Sequence, residues 1–150
     1  MALETILLAV GPGDATRTDD LAEAVVEVAE PAGATVHLAH VFTQAEYDEV
    51  LARLDFDLEV DEVDPDEVAD RHATIRALVA VLDDEGVDHE VHGAVGDHGA
   101  SIVEVATAVG ADRVVVGGRR RSPAGKAVFG STAQEVLLSA PCPVTFVRGE

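Results

Sequence analysis

The chain has 150 residues, 47% of them hydrophobic and only 3% aromatic, which suits one compact domain spanning residues 1–150. Its 29 acidic residues face nine arginines and one lysine, and the resulting net charge of −19 argues against nucleic acid or an anionic membrane as a partner. Such a surface is typical of a halophilic protein, whose salt-rich cytoplasm screens the repulsion between like charges.

Short apolar runs and helical stripes alternate along the chain. Residues 4–10 are almost wholly apolar, which is typical of a strand buried on both faces of a parallel sheet. An apolar stripe over residues 21–32 predicts the first helix, with Asp20 and Glu23 spaced as a capping box and Gly33 placed to end it.

The middle of the chain combines a strand, an acidic stretch and a helix. Thr35–Phe42 is predicted as the second strand. The acidic stretch that follows is predicted to be irregular as far as about Asp64. Pro65 then begins a helix whose apolar stripe covers residues 68–82, and Gly86 closes it.

The remaining elements continue the same alternation. Strands are predicted at residues 87–92, 113–116 and 144–148, and helical stripes at residues 102–109 and 133–140. Five strands alternating with four helices predict an α/β fold, a doubly wound open sheet of mainly parallel strands. Ligands of such sheets bind beyond the carboxyl ends of the strands, where the strand order reverses. We therefore expect the loops after the first, second and fourth strands to form the site.

The segment between the fourth strand and the last helix concentrates glycine and positive charge. Four of the ten basic residues fall within eight positions: Arg119, Arg120, Arg121 and Lys126. The segment ends in Gly130, Ser131 and Thr132, where free N–H groups at a helix start favour a phosphate. Two alternatives stay open: the hydroxyls act only as helix caps, or the arginines form a solvated patch or pair with the acidic surface.

Familiar phosphate-binding fingerprints do not match. Arg120 and Ala127 occupy the first glycine and the hydroxyl positions of a P-loop. The turn at residues 11–16 keeps only two glycines of the dinucleotide pattern, and no acidic residue ends the second strand. This pattern is more typical of a simple tight turn than of a dinucleotide-binding loop.

The histidines and the cysteine do not indicate a metal or a catalytic site. His37 with His40, and His89 with His92, stand three apart on predicted strands, so each pair points to opposite faces. A single cysteine, Cys142, excludes an internal disulfide and a cysteine-clustered metal site. No triad or carboxylate pair is recognisable, and catalysis is not indicated.

Neither a membrane span nor a leader is recognisable in the sequence. No apolar run approaches 18 residues, and the first residues lack the charged and apolar regions of a signal peptide. We expect a cytoplasmic protein.

The spacing Gly117, two residues, Arg120, nine residues, Gly130 and Ser131 resembles the G-x2-G-x9-G-[ST] signature of the universal stress protein family. The opening strand at 6–10 and the Ala-Pro-Cys-Pro-Val entry at 140–144 are also similar to that family. The resemblance implies the fold of that family, which is Rossmann-like and of the adenine nucleotide alpha hydrolase-like type. It also implies a role in the stress response. It also implies ATP or AMP as ligand, with Mg or Mn accompanying the phosphates.

In family members that bind ATP, adenosine lies against the first two strand ends and the triphosphate lies in the signature loop. Carried over by position, the adenosine pocket consists of Ala9, Val10, Gly11 and Val41. Val116 and Gly117 would lie under the nucleoside. The phosphate contacts would come from Arg119, Arg120, Gly130, Ser131 and Thr132.

Two positions depart from the family pattern. Gly11 stands where nucleotide-binding members usually carry an aspartate, and Arg120 replaces the middle glycine of the signature. The guanidinium of Arg120 either adds a bidentate phosphate contact or fills the loop. The alternative function is accordingly a dimeric interaction module that has lost nucleotide. We expect at most slow ATP hydrolysis as an enzymatic activity of this chain, since no general base is identifiable.

The last predicted strand leaves an edge to be covered. A chain-terminal strand at residues 144–148 presents unpaired backbone groups unless another strand pairs with it. The resemblance implies homodimers made through that strand, and the open edge supports the same prediction.

Overall fold

A computed structural model describes residues 3–53, 64–119 and 131–149. Within these ranges five strands form one sheet in the order β3-β2-β1-β4-β5, and every neighbouring pair is parallel. The strands are β1 Thr5–Val10, β2 Thr35–Phe42, β3 His89–Val95, β4 Arg113–Arg119 and β5 Val144–Gly149. The predicted doubly wound α/β fold is confirmed, and all its strand pairs, not only most of them, are parallel.

The described residues contain six α-helices where four were predicted. They are α1 Thr18–Ala32, α2 Gln44–Arg53, α3 Pro65–Arg71, α4 Ala73–Asp84, α5 His98–Val109 and α6 Ser131–Ser139. A short 3₁₀ helix, Pro12–Thr16, joins β1 to α1. None of these helices is long and apolar enough to cross a membrane.

The first additional helix, α2, lies in the acidic stretch that was predicted to be irregular. The Thr43 hydroxyl accepts the Glu46 N–H at 3.2 Å, and the Glu46 carboxylate accepts the Thr43 N–H at 2.8 Å. This reciprocal pair is a capping box that starts the helix. Tyr47 and Leu51, one turn apart, are buried on its inner face against Phe42. The prediction was wrong because the many carboxylates hid a helical stripe.

The second additional helix arises because the helix predicted after Pro65 is interrupted at His72. His72 has extended backbone angles (φ −70°, ψ 137°), and its Nδ1 accepts the N–H of Thr74 at 3.3 Å. An imidazole therefore caps α4 in place of a Ser or Asp side chain. A continuous apolar stripe on both sides of the break concealed it in the sequence.

The predicted start of α1 was also wrong. The helix begins at Thr18 with Arg17 as its N-cap residue, so Asp20 lies in the first turn and does not cap it. An acidic side chain there still stabilises the helix through its interaction with the N-terminal partial positive charge. The predicted stop is confirmed, since Gly33 adopts the left-handed conformation (φ 66°) that closes the helix.

Helices cover both faces of the sheet, which explains the continuous apolar run in β1. Ile6, Leu8 and Val10 pack with α1 and α4 on one face. Leu7 and Ala9 pack with α5 and α6 on the other. Because α5 and α6 lie side by side on this second face, their N-terminal ends flank the carboxyl ends of the central strands.

The two edges of the sheet differ. At the β3 edge the Gly93 N–H donates to the Asp66 carboxylate of α3 at 2.7 Å. A Cβ at Gly93 would collide with the Pro65 carbonyl, so glycine is required for this close approach. In the part of the chain that the structure describes, no comparable element covers β5, and Leu138 of the neighbouring α6 is 78% exposed.

Candidate functional site

A cleft opens at the carboxyl ends of β1, β2 and β4, where the strand order reverses. Its volume is about 200 Å³. Of the eleven site residues predicted from the sequence, seven line it: Ala9, Val10, Gly11, Val41, Val116, Gly117 and Thr132. Parallel topology brings the strand residues together, because the carboxyl ends of all three strands lie at the same end of the sheet. Thr132 joins them from the first turn of α6.

The other four predicted residues lie wholly or partly outside the described residues. Arg120 and Gly130 belong to the segment 120–130, which is not described. Arg119 ends β4 and Ser131 begins α6, but their side chains are not described. The binding role of all eleven residues therefore remains a prediction.

The cleft contains a buried ion pair that sequence reasoning missed. Asp14 Oδ2 accepts the Gly11 N–H at 2.8 Å, and Asp14 Oδ1 accepts Arg17 Nε at 2.6 Å. Both side chains are only 10% exposed. Gly11 therefore does not leave the cleft without a carboxylate, since the 3₁₀ helix delivers one from three residues further on. The signal in the sequence was the Pro-Gly-Asp turn, which is typical of tight local structure.

Gly117 allows this ion pair to enter the cleft. A Cβ at that position would lie 2.9 Å from Asp14 Oδ1 and 3.0 Å from Arg17 Nε, closer than side chains normally approach. The first glycine of the signature spacing thus has a structural reason in this chain besides contact with a ligand.

A second polar group on the cleft wall is His98, at the start of α5. Its Nε2 lies 2.7 Å from Glu46 Oε1, the same oxygen that accepts the Thr43 N–H. Burial alone would raise the pKa of Glu46, but the hydrogen bonds from the Thr43 N–H and from His98 outweigh burial and hold the pKa below its ordinary value. Glu46 is therefore an ionised acceptor that fixes the imidazole. Sequence reasoning missed both residues because they are 52 positions apart.

His40 lies under α2 in an aromatic cluster. Its ring stacks on Phe42 at 4.2 Å between centroids and touches His72, also at 4.2 Å. Within the described residues neither ring nitrogen has a hydrogen-bond partner, although the Val41 backbone lies near the ring. Burial, with a contribution from His72, lowers the pKa of His40 to about 3. The imidazole is therefore neutral at physiological pH.

Two further histidines, His37 and His92, contact each other between neighbouring strands. His37 Nδ1 on β2 lies 2.8 Å from His92 Nε2 on β3, a contact that spacing along one strand could not reveal. Among residues 3–53, 64–119 and 131–149, no three His, Cys, Asp or Glu side chains are arranged to hold a metal ion. Cys142 is partly buried against the second core face, and burial raises the pKa of its thiol.

An open parallel sheet of this order, with a cleft where the order reverses, defines a doubly wound α/β protein of the Rossmann-like class. A family model described as the universal stress protein family matches residues 2–148. The chain belongs to the universal stress protein family.

Comparisons with individual proteins agree with the family match. A Mycolicibacterium smegmatis (strain ATCC 700084 / mc(2)155) protein named universal stress protein is 35% identical over 79 residues, covering 52% of this chain and 61% of that protein. A universal stress protein structure from Archaeoglobus fulgidus has a TM-score of 0.69 and 24% identity, covering 99% of this chain and 100% of that chain. The universal stress protein from Archaeoglobus fulgidus in complex with dAMP has a TM-score of 0.66 and 23% identity at the same coverage. These two likenesses show the fold.

Proposed function

We propose that the chain is a cytoplasmic stress-response protein that binds an adenine nucleotide, ATP or AMP, in this cleft. One observation carries the proposal: seven residues that the family resemblance implies for nucleotide binding line one cleft, at the point where the strand order reverses. The dAMP complex of the Archaeoglobus fulgidus protein, which has the same fold, supports an adenine nucleotide as the ligand.

The walls of the cleft suggest how the nucleotide lies. Val41 and Ile102 present apolar surface suited to a flat base at the β2 end. Thr132, in the first turn of α6, lies at the β4 end, where a hydroxyl and helix N–H groups favour phosphate. In between, the Asp14 carboxylate retains lone pairs that can accept ribose hydroxyl protons.

The described cleft does not fit a metal ion held by the protein. Asp14 is the only carboxylate among the described lining residues. A Mg or Mn cage of several oxygen ligands therefore has no counterpart there. Any such ion would enter with the phosphates.

Calorimetric titration in high salt tests the nucleotide proposal. We expect saturable binding of ATP and AMP and much weaker binding of inorganic phosphate, because the base and ribose add buried contacts. Thr132→Ala should weaken ATP binding about tenfold or more, since one hydrogen bond to a charged group is worth about 1.5–3 kcal/mol. Thr107→Ala is the matched control, because Thr107 is exposed on α5 and its hydroxyl donates to the Val103 carbonyl of the same helix. No binding of any nucleotide would favour the interaction module instead.

We further propose that two copies pair through β5. One edge of the sheet is already covered by α3, whereas none of the described elements covers the β5 edge and Leu138 beside it is exposed. The Val114 N–H donates to the Pro143 carbonyl. Because N–H directions alternate along a strand, this register turns the Arg148 N–H toward the open edge.

Arg148→Pro tests the pairing. Proline removes the outward N–H at an edge position without touching the bonds between β4 and β5, so the variant should sediment as a monomer. Arg148→Ala keeps the N–H and should sediment like the parent chain. A proline variant that keeps the parent sedimentation coefficient would contradict pairing through β5.

A further inference from the structure

His98 is a polar group of the cleft that neither the signature nor the family resemblance assigns. It lines the cleft beside Val41 and Ile102, while its Nε2 contacts Glu46, which does not line the cleft. The Glu46 contact thus occupies Nε2, so Nδ1 is the ring nitrogen left for a ligand in the cleft.

The chemistry of Glu46 decides what the ring can offer. A carboxylate without a proton only accepts hydrogen bonds, so Nε2 of His98 must be the donor in their 2.7 Å contact. In a neutral imidazole the other nitrogen, Nδ1, then carries a lone pair and is an acceptor. Thr43 strengthens this arrangement, because its N–H holds the same Glu46 oxygen at 2.8 Å.

The position of His98 indicates which part of a nucleotide it meets. α5 packs over β1 and β2, and α6 packs over β4 and β5, so His98 and Thr132 begin neighbouring helices, with His98 nearer the β2 end of the cleft and Thr132 nearer the β4 end. A nucleotide whose phosphates lie at Thr132 extends its base toward Val41 and His98. Apolar walls with one acceptor suit a base edge that carries a hydrogen-bond donor.

Building on the proposed function, we propose that His98 is a specificity-determining residue whose Nδ1 accepts a hydrogen bond from the 6-amino group of the purine. Glu46 is its positioning residue and imposes the required tautomer. A 6-oxopurine places an acceptor against this acceptor, which leaves both atoms without a proton between them. The pair therefore selects aminopurine over oxopurine nucleotides.

Titrations of AMP and IMP at pH 8 test this selection, because the two nucleotides share ribose and phosphate and differ at the base edge. The parent chain should bind AMP about tenfold or more tightly than IMP, as expected for one mismatched buried hydrogen bond. His98→Phe keeps an aromatic ring but removes the acceptor, so AMP and IMP should bind with nearly equal affinity. His89→Phe, on β3, is the matched control and should keep the preference for AMP.

Glu46→Gln tests the positioning role without removing the histidine. Glutamine retains the capping box of α2, so the helix should persist. Its amide can either donate to Nε2 or accept from it, and the tautomer is no longer imposed. The ratio of AMP to IMP affinity should fall several-fold, whereas Glu49→Gln on the exposed face of α2 should leave it unchanged.

The outcomes separate this inference from the nucleotide proposal. AMP binding with no preference over IMP, or with a preference that survives His98→Phe, would overturn the role of His98 while leaving nucleotide binding intact. A parent chain that binds neither AMP nor ATP would overturn the nucleotide proposal itself. A preference for AMP over dAMP that disappears in His98→Phe, with equal AMP and IMP affinity in the parent, would assign the ring to the ribose and also overturn the inference.

Discussion

Asp14→Ala is expected to lower the free energy of unfolding by about 3 kcal/mol, the lower end of the cost of breaking a buried ion pair. The substitution leaves the Arg17 guanidinium, 10% exposed, without its carboxylate, and it also removes the acceptor of the Gly11 N–H. Urea unfolding followed by circular dichroism measures the change. The same variant should lose nucleotide affinity, because the cleft's described carboxylate is gone.

A double variant separates the unpaired charge from other effects of the substitution. Asp14→Ala combined with Arg17→Met removes both charges and keeps an unbranched apolar chain of similar length, so most of the lost stability should return. Asp19→Ala, an exposed carboxylate in the first turn of α1, is the control and should cost well under 1 kcal/mol. Equal stability of Asp14→Ala and the parent would show that the ion pair does not contribute.

Acid should destabilise the protein through His40. In the folded chain the pKa of His40 is about 3, whereas an unfolded histidine takes up its proton near pH 6.5. The unfolded state therefore binds more protons between these values, and stability is fully present above pH 6.5 and is lost as the pH falls toward 3. Two pH units below 6.5, at pH 4.5, the loss from His40 should be about 3 kcal/mol. Burial also lowers the pKa of His72 and of His37, which adds in the same direction.

His40→Phe should remove much of this acid sensitivity. Phenylalanine keeps the stacking on Phe42 and has no nitrogen that needs a partner, so stability at pH 7 should stay the same or rise. Denaturant unfolding at pH 7 and at pH 4.5 gives the difference for each variant, and comparison with the parent cancels the contribution of the other groups. His89→Phe is the control, because it removes a histidine that lies outside the aromatic cluster, and it should keep the parent's acid sensitivity. A parent chain as stable at pH 4.5 as at pH 7 would refute the assignment.

Much of the architecture was predictable because it follows from local chemistry. Apolar runs located all five strands, although β3 begins two residues later than predicted and extends to Val95. Pro65 and Gly33 marked the helix ends that they form. These signals depend on the backbone preferences of neighbouring residues, which a sequence displays directly.

The two helix predictions that were wrong have different physical causes. α2 was missed because its stripe of Tyr47, Val50 and Leu51 is stabilised by burial against Phe42 and Val68, and not by the composition of the helix itself. The break at His72 depends on a side chain capping the next helix. The burial of α2 is a tertiary contact, whereas the break at His72 is a local cap by a residue type that seldom caps a helix.

By itself the sequence determined the strands, the parallel α/β class, the family resemblance and the strand ends where a ligand would lie. Only the tertiary structure decided the strand order, the entry of Asp14 and Arg17 beside Gly117, and the contact between Glu46 and His98. Strand ends are local features, whereas these contacts join residues up to 103 positions apart. Their geometry depends on how helices and strands pack, and this information is not contained in any short stretch of sequence.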